Sequence, residues 1–174
     1  MGHMRPSSLR PPEPRFVPAG EHPLWDEALA TVNRDLAATL PGQRPLCLIA
    51  YPADAHEDEQ VYVALADGNA HGNSLGPSGS AHRALWTVAE AAQDTITGCL
   101  WQAWPVCTLH GLGMHMREES GRPVWSCAGG GRPGDPAHVR AAVGELDTVH
   151  RPHRPNRKRR KDGRGREGGK GRGR

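Results

Sequence analysis

Residues 80–100 read SAHRALWTVAEAAQDTITGCL, and this stretch decides the fold. Leu85, Val88, Ala89, Ala92, Ile96, Cys99 and Leu100 recur in steps of three and four, so a 3.6-residue helix gathers them into one apolar stripe. Ser80 stands where an N-cap hydroxyl accepts an N–H of the first turn, and the first strong breaker downstream is Pro105. The spacing predicts a helix starting at Ala81 and carried past Gly98 until Pro105 ends it. A stripe of this width needs a covering surface, which the flanking sequence must supply.

On the N-terminal side, Trp25, Leu29, Val32, Leu36 and Leu40 also fall at helical spacing. Pro23 suits a first turn and Pro41-Gly42 stops the pattern, which predicts a second amphipathic helix. Between the two helices, residues 45–52 (PLCLIAYP) form a short apolar run. Residues 60–67 (QVYVALAD) alternate Val61, Val63 and Leu65 with Tyr62, Ala64 and Ala66. They read as paired strands, the first more buried. The acidic connection with Asp54, Glu57, Asp58 and Glu59 belongs in water and fits no calcium-loop pattern. Residues 68–80 are a Gly-, Ser- and Asn-rich loop that lacks the Gly-Lys-Ser/Thr ending of a phosphate-binding P-loop.

Beyond Pro105, Met114 to Glu118 and Arg122 to Cys127 flank a Glu119-Ser120-Gly121 turn and predict a small hairpin. Residues 135–147 fit either a helix opened by Asp135-Pro136 or a closing strand, and the strand is preferred. Together these elements predict an α+β fold: two helices on a small antiparallel sheet, with a C-terminal hairpin suited to zinc stabilisation. No repeat of 20 to 50 residues is visible.

Composition divides the chain. Residues 5–20 hold five prolines without periodicity, and residues 1–20 are expected to be a disordered lead. Residues 21–149 are expected to form one domain, with 102–147 as its zinc-hairpin subregion, and residues 150–174 a disordered Gly/Arg tail. Of 22 Lys and Arg and 19 Asp and Glu, residues 151–174 hold twelve basic against two acidic, about +10, and residues 1–150 hold ten Arg against seventeen acidic, about −7. The overall +3 therefore joins an acidic body to a cationic tail. No N-terminal apolar segment or run long enough for a bilayer is present, and four cysteines in such a chain favour thiols or metal ligands over disulfides. A soluble, cytoplasmic protein is expected.

The most specific chemistry is in residues 104–127. Cys107, His110, His115 and Cys127 follow a Cys-x2-His-x4-His-x11-Cys spacing. A Cys-x2-His turn converges two side chains, and a hairpin returns the others to complete a tetrahedral two-thiolate, two-imidazole zinc set. His138 is the rival fourth ligand. The competing reading makes Cys107 and Cys127 small apolar fillers and the histidines surface residues.

Trp104-Pro105-Val106-Cys107-Thr108-Leu109-His110, Gly121-x2-Val124-Trp125-x-Cys127 and the later Gly144-Glu145-Leu146 resemble a group of small actinobacterial proteins, over residues 81–147. Members of that group carry a tighter Cys-x2-His-x-His arrangement than the one here. The resemblance implies no activity.

In the tail, Arg157, Lys158, Arg159, Arg160, Lys161, Arg164 and Arg166 are candidates for nucleic-acid phosphates, and the lack of aromatics after Trp125 makes that contact electrostatic. A solvated tail serving solubility is the alternative. The leading expectation is a non-enzymatic binding or accessory protein with structural zinc and a nucleic-acid-binding tail. The alternatives are a protein-interaction module using the acidic body, and a small hydrolase or transferase using His71, His82 or His110. No catalytic elbow or metalloprotease helix is present. Trp86, Trp101 and Trp104 are read as closing the core over the hairpin, with a ligand groove as the alternative.

Overall fold

A computed structural model describes residues 13–53, 58–131 and 133–146. The element order is β1 (Arg15–Phe16), α1 (Pro23–Thr39), β2 (Cys47–Tyr51), β3 (Gln60–Ala64), α2 (Ala81–Leu100), β4 (His115–Glu119), β5 (Arg122–Cys127) and β6 (His138–Ala142). The fold is α+β, with two helices and two antiparallel three-stranded sheets ordered β1-β2-β3 and β4-β5-β6. The tail cations, the N-terminal residues 1–12 and the acidic residues Asp54 and Glu57 lie outside the described residues.

The helical stripes are buried as their spacing requires. Leu29, Val32 and Leu36 of α1 and Val88, Ala89, Ala92 and Ile96 of α2 join Leu48, Val61, Val63, Trp104, Met114 and Trp125 in one core. The Ser80 hydroxyl accepts from the Arg83 N–H at 3.2 Å and caps α2. Gly98 lies within α2 because the His71 ring crosses it: a Cβ there would sit 2.3 Å from the ring.

Three features differ from the sequence-based expectation. The Pro-rich lead does not end unpaired, because Arg15 and Phe16 add an edge strand opposite Ala50 and Ile49. Among the described residues the C-terminal hairpin does not stand alone, because β6 pairs with β5 and makes it a second three-stranded sheet. Helix α2 stops at Leu100, well before Pro105, since Trp101 takes a left-handed conformation at φ 53° while its N–H still bonds the Thr97 carbonyl.

The second sheet is locked to α1 by a buried carboxylate. Asp35 is 0% exposed. It accepts from Trp125 Nε1 at 2.6 Å, Gly144 N at 2.6 Å and Leu146 N at 2.8 Å. Trp104 packs edge-on against Trp125 with centroids 5.5 Å apart, and its Nε1 donates to Thr39 Oγ1 at 2.7 Å. Gln93 of α2 donates its side-chain N–H groups to the Trp104 and Met114 carbonyls, at 3.0 and 2.8 Å. The loop between these two residues is thereby held at both ends. No helix among the described residues is long and apolar enough to cross a membrane.

Candidate metal centre

Residues 105–114 form a loop closed at its base by its own backbone. Met114 N donates to the Pro105 carbonyl and Cys107 N to the Leu112 carbonyl, each at 2.8 Å, and Val106 bridges Gly113. Gly111 N donates to the Cys107 carbonyl at 2.8 Å, which curls the chain so that Cys107 and His110 face the same side. The anchored base explains why a short Cys-x2-His segment holds its two side chains together.

The other two members come from the second sheet. Cys127 ends β5 and His138 begins β6, and the two are direct register partners. That register depends on a bulge: Trp125 faces Ala141 while Ser126 faces Val139, so β6 carries one more residue, Arg140, than β5 over this step. Without it, Val139 would lie opposite Cys127. The β4–β5 ladder places His115 opposite Ser126, and alternation of side chains then directs His115 to the face away from Cys127.

Cys107, His110, Cys127 and His138 thus form a Cys2His2 group whose ligand atoms all lie within 4.8 Å of one another. Three of its edges are Cys107 Sγ to His110 Nδ1 at 3.7 Å, Cys107 Sγ to His138 Nε2 at 3.6 Å and Cys127 Sγ to His110 Nδ1 at 3.3 Å. A tetrahedron with Zn–S of about 2.3 Å and Zn–N of about 2.0 to 2.1 Å has a sulfur-to-nitrogen edge of roughly 3.6 Å. The donor set and its dimensions fit one divalent ion. Both cysteines are fully buried and both histidines partly so. Burial pushes the Cys127 thiol up from its ordinary value, the Gly129 N–H pulls it back in part, and nearby Cys107 and Asp135 push it up again, a bias that a cation at the centre would reverse.

Three of the four sequence-predicted ligands, Cys107, His110 and Cys127, are brought together, and the fourth place is taken by His138, not His115. His115 is exposed and lines a groove with Gln93, Thr97, Trp101 and Trp104. The signal for His138 was its place at the start of a closing strand; the bulge that aligns it leaves no mark in the hydrophobic pattern. Trp101 is 90% exposed and outside the core, whereas Trp104 is inside it. The three histidines considered for catalysis have separate surroundings: His71 lies against Gly98, His82 is 3.5 Å from Glu118, and His110 belongs to the Cys2His2 group.

A second group, Glu21, His22 and Glu59, also has ligand atoms close together, but Arg15 already bonds both carboxylates, at 2.6 and 2.8 Å. That cluster is an exposed ion pair network tying β1 to its neighbours.

What fold and site together define is an α+β domain with a Cys2His2 tetrad at the edge of its second sheet. Comparison of the chain with protein-family models, curated proteins and solved structures finds no match.

Proposed function

We propose that this chain is a non-enzymatic binding or accessory protein in which Cys107, His110, Cys127 and His138 hold one structural zinc ion and the cationic tail engages nucleic acid. The observation that carries the first part is the agreement between the sulfur-to-nitrogen edges, 3.3 to 3.7 Å, and those of a tetrahedral zinc site. Four protein ligands leave no open position for substrate, so the role of the ion is to hold the Cys107–His110 loop against the β5–β6 sheet. Zinc is favoured over harder cations because two of the donors are thiolates.

The tail rests on sequence alone: twelve Lys and Arg against two acidic residues over 151–174, interrupted by glycine. Such a segment neutralises phosphates without reading bases, so its binding weakens steeply with salt.

Two measurements test this. Elemental analysis of purified protein is expected to give one zinc per chain, reduced in Cys127→Ser and His138→Ala and unchanged in His115→Ala. Equal zinc in His138→Ala and wild type would contradict the ligand set. Deleting residues 151–174 is expected to leave the fold intact and abolish salt-sensitive retention on DNA or RNA; equal retention by both forms would end that part.

A further inference from the structure

We propose that the tetrapeptide Asp135-Pro136-Ala137-His138 is a single orienting unit for the metal centre, with Asp135 the positioning residue that fixes His110 to coordinate through Nδ1. This rests on the zinc reading above and assigns the atoms and the supporting residue it leaves open.

Each imidazole turns one nitrogen to the tetrad and the other to an acceptor in this tetrapeptide. His110 presents Nδ1 to Cys107 and Cys127, while its Nε2 lies 2.7 Å from Asp135 Oδ1. His138 presents Nε2 to Cys107, while its Nδ1 lies 3.4 Å from the Pro136 carbonyl oxygen. Carbonyl and carboxylate oxygens accept only, so Nε2 of His110 and Nδ1 of His138 carry the protons, and the lone pairs of the opposite nitrogens face the centre. The two histidines therefore bind through different ring nitrogens, an asymmetry set by acceptors on two adjacent residues.

Asp135 is itself held. Its Oδ2 accepts from Gly130 N at 2.8 Å, so both carboxylate oxygens are engaged, one by the loop after β5 and one by His110. The glycines of that loop suit the approach: a Cβ on Gly129 would lie 2.4 Å from the Asp135 carbonyl oxygen, and one on Gly130 2.2 Å from Asp135 Oδ2, so that the carboxylate would have to turn away. Gly129 also has φ +81°, which favours glycine. Two adjacent glycines thus let the chain after Cys127 close over the residue that steers His110.

The test is zinc affinity, measured by competition with a chromophoric chelator on the full chain, for wild type, Asp135→Ala, Asp135→Asn, Gly130→Ala and the exposed-site control Glu118→Ala. Asp135→Ala is expected to lose roughly 10- to 100-fold in affinity, Asp135→Asn and Gly130→Ala less, and Glu118→Ala nothing. In nitrogen-15 NMR of the zinc-bound protein, His110 is expected to show metal-bound Nδ1 and a slowly exchanging Nε2 proton. That protection is lost in Asp135→Ala even where zinc still binds and the backbone amides of β5 keep theirs, whereas general loosening of the fold would expose both. Wild-type affinity in Asp135→Ala, or metal on His110 Nε2, overturns this proposal alone; failure of the wild type to bind zinc overturns it together with the zinc reading.

Discussion

Trp125 Nε1 donates to Asp35 Oδ2 at 2.6 Å, joining the middle of strand β5 to helix α1 across 90 residues of sequence. Through this bond and those from Gly144 N and Leu146 N, one buried carboxylate holds three points of the second sheet region on the helix. Asp35→Ala leaves three buried donors without an acceptor and is expected to cost on the order of 3 to 5 kcal/mol, whereas Trp125→Phe removes one donor and costs about 2 to 3 kcal/mol including lost packing. Urea unfolding of the two variants checks the order; a smaller loss in Asp35→Ala than in Trp125→Phe would contradict it.

The same carboxylate gives a pH dependence of defined sign. Burial raises Asp35 above its ordinary value, and the donors from Trp125, Gly144 and Leu146 pull it back only in part. The native state then binds this proton more tightly than the unfolded state. Its contribution to stability is full below the ordinary Asp value of about 3.9 and is lost as pH rises through the raised native value. The unfolding free energy of wild type minus that of Asp35→Asn is expected to fall as pH rises through that window. A difference independent of pH would show that Asp35 titrates as it does in the unfolded chain.

Gly98→Ala should destabilise although alanine is the better helix former by about 1 kcal/mol, because the new Cβ meets the His71 ring at 2.3 Å. The paired variant His71→Ala with Gly98→Ala is expected to recover most of the loss. Thermal unfolding of the two singles and the double reads the coupling, and additive losses would place the conflict elsewhere.

Trp101 ends α2 in the left-handed region with 90% of its surface exposed, so Trp101→Gly removes backbone strain at little cost in burial. A gain of about 1 kcal/mol is expected in chemical unfolding. A loss would mean that the indole is held by contacts beyond those of the folded chain seen here.

The elements legible in the sequence are those whose period or turn chemistry is local. The α2 stripe, the α1 stripe from Trp25 to Leu40 and the Ser120-Gly121 hairpin turn, with both residues at positive φ, follow from neighbouring residues alone. The missing features are set by distant partners. Phe16 becomes a strand because β2 offers an edge, and Asp35 looks like one more polar helix residue until Trp125, Gly144 and Leu146 converge on it. Cys107, His110 and Cys127 were legible from spacing, but the choice of His138 over His115 turns on the one-residue bulge at Arg140, whose effect on register no periodicity records.

X-ray absorption at the zinc edge of the purified chain tests the central claim most directly. The tetrad predicts one zinc per chain with two sulfur ligands at about 2.3 Å and two nitrogen ligands at about 2.0 to 2.1 Å. Metal well below one per chain, or a shell of light atoms without sulfur, would contradict it.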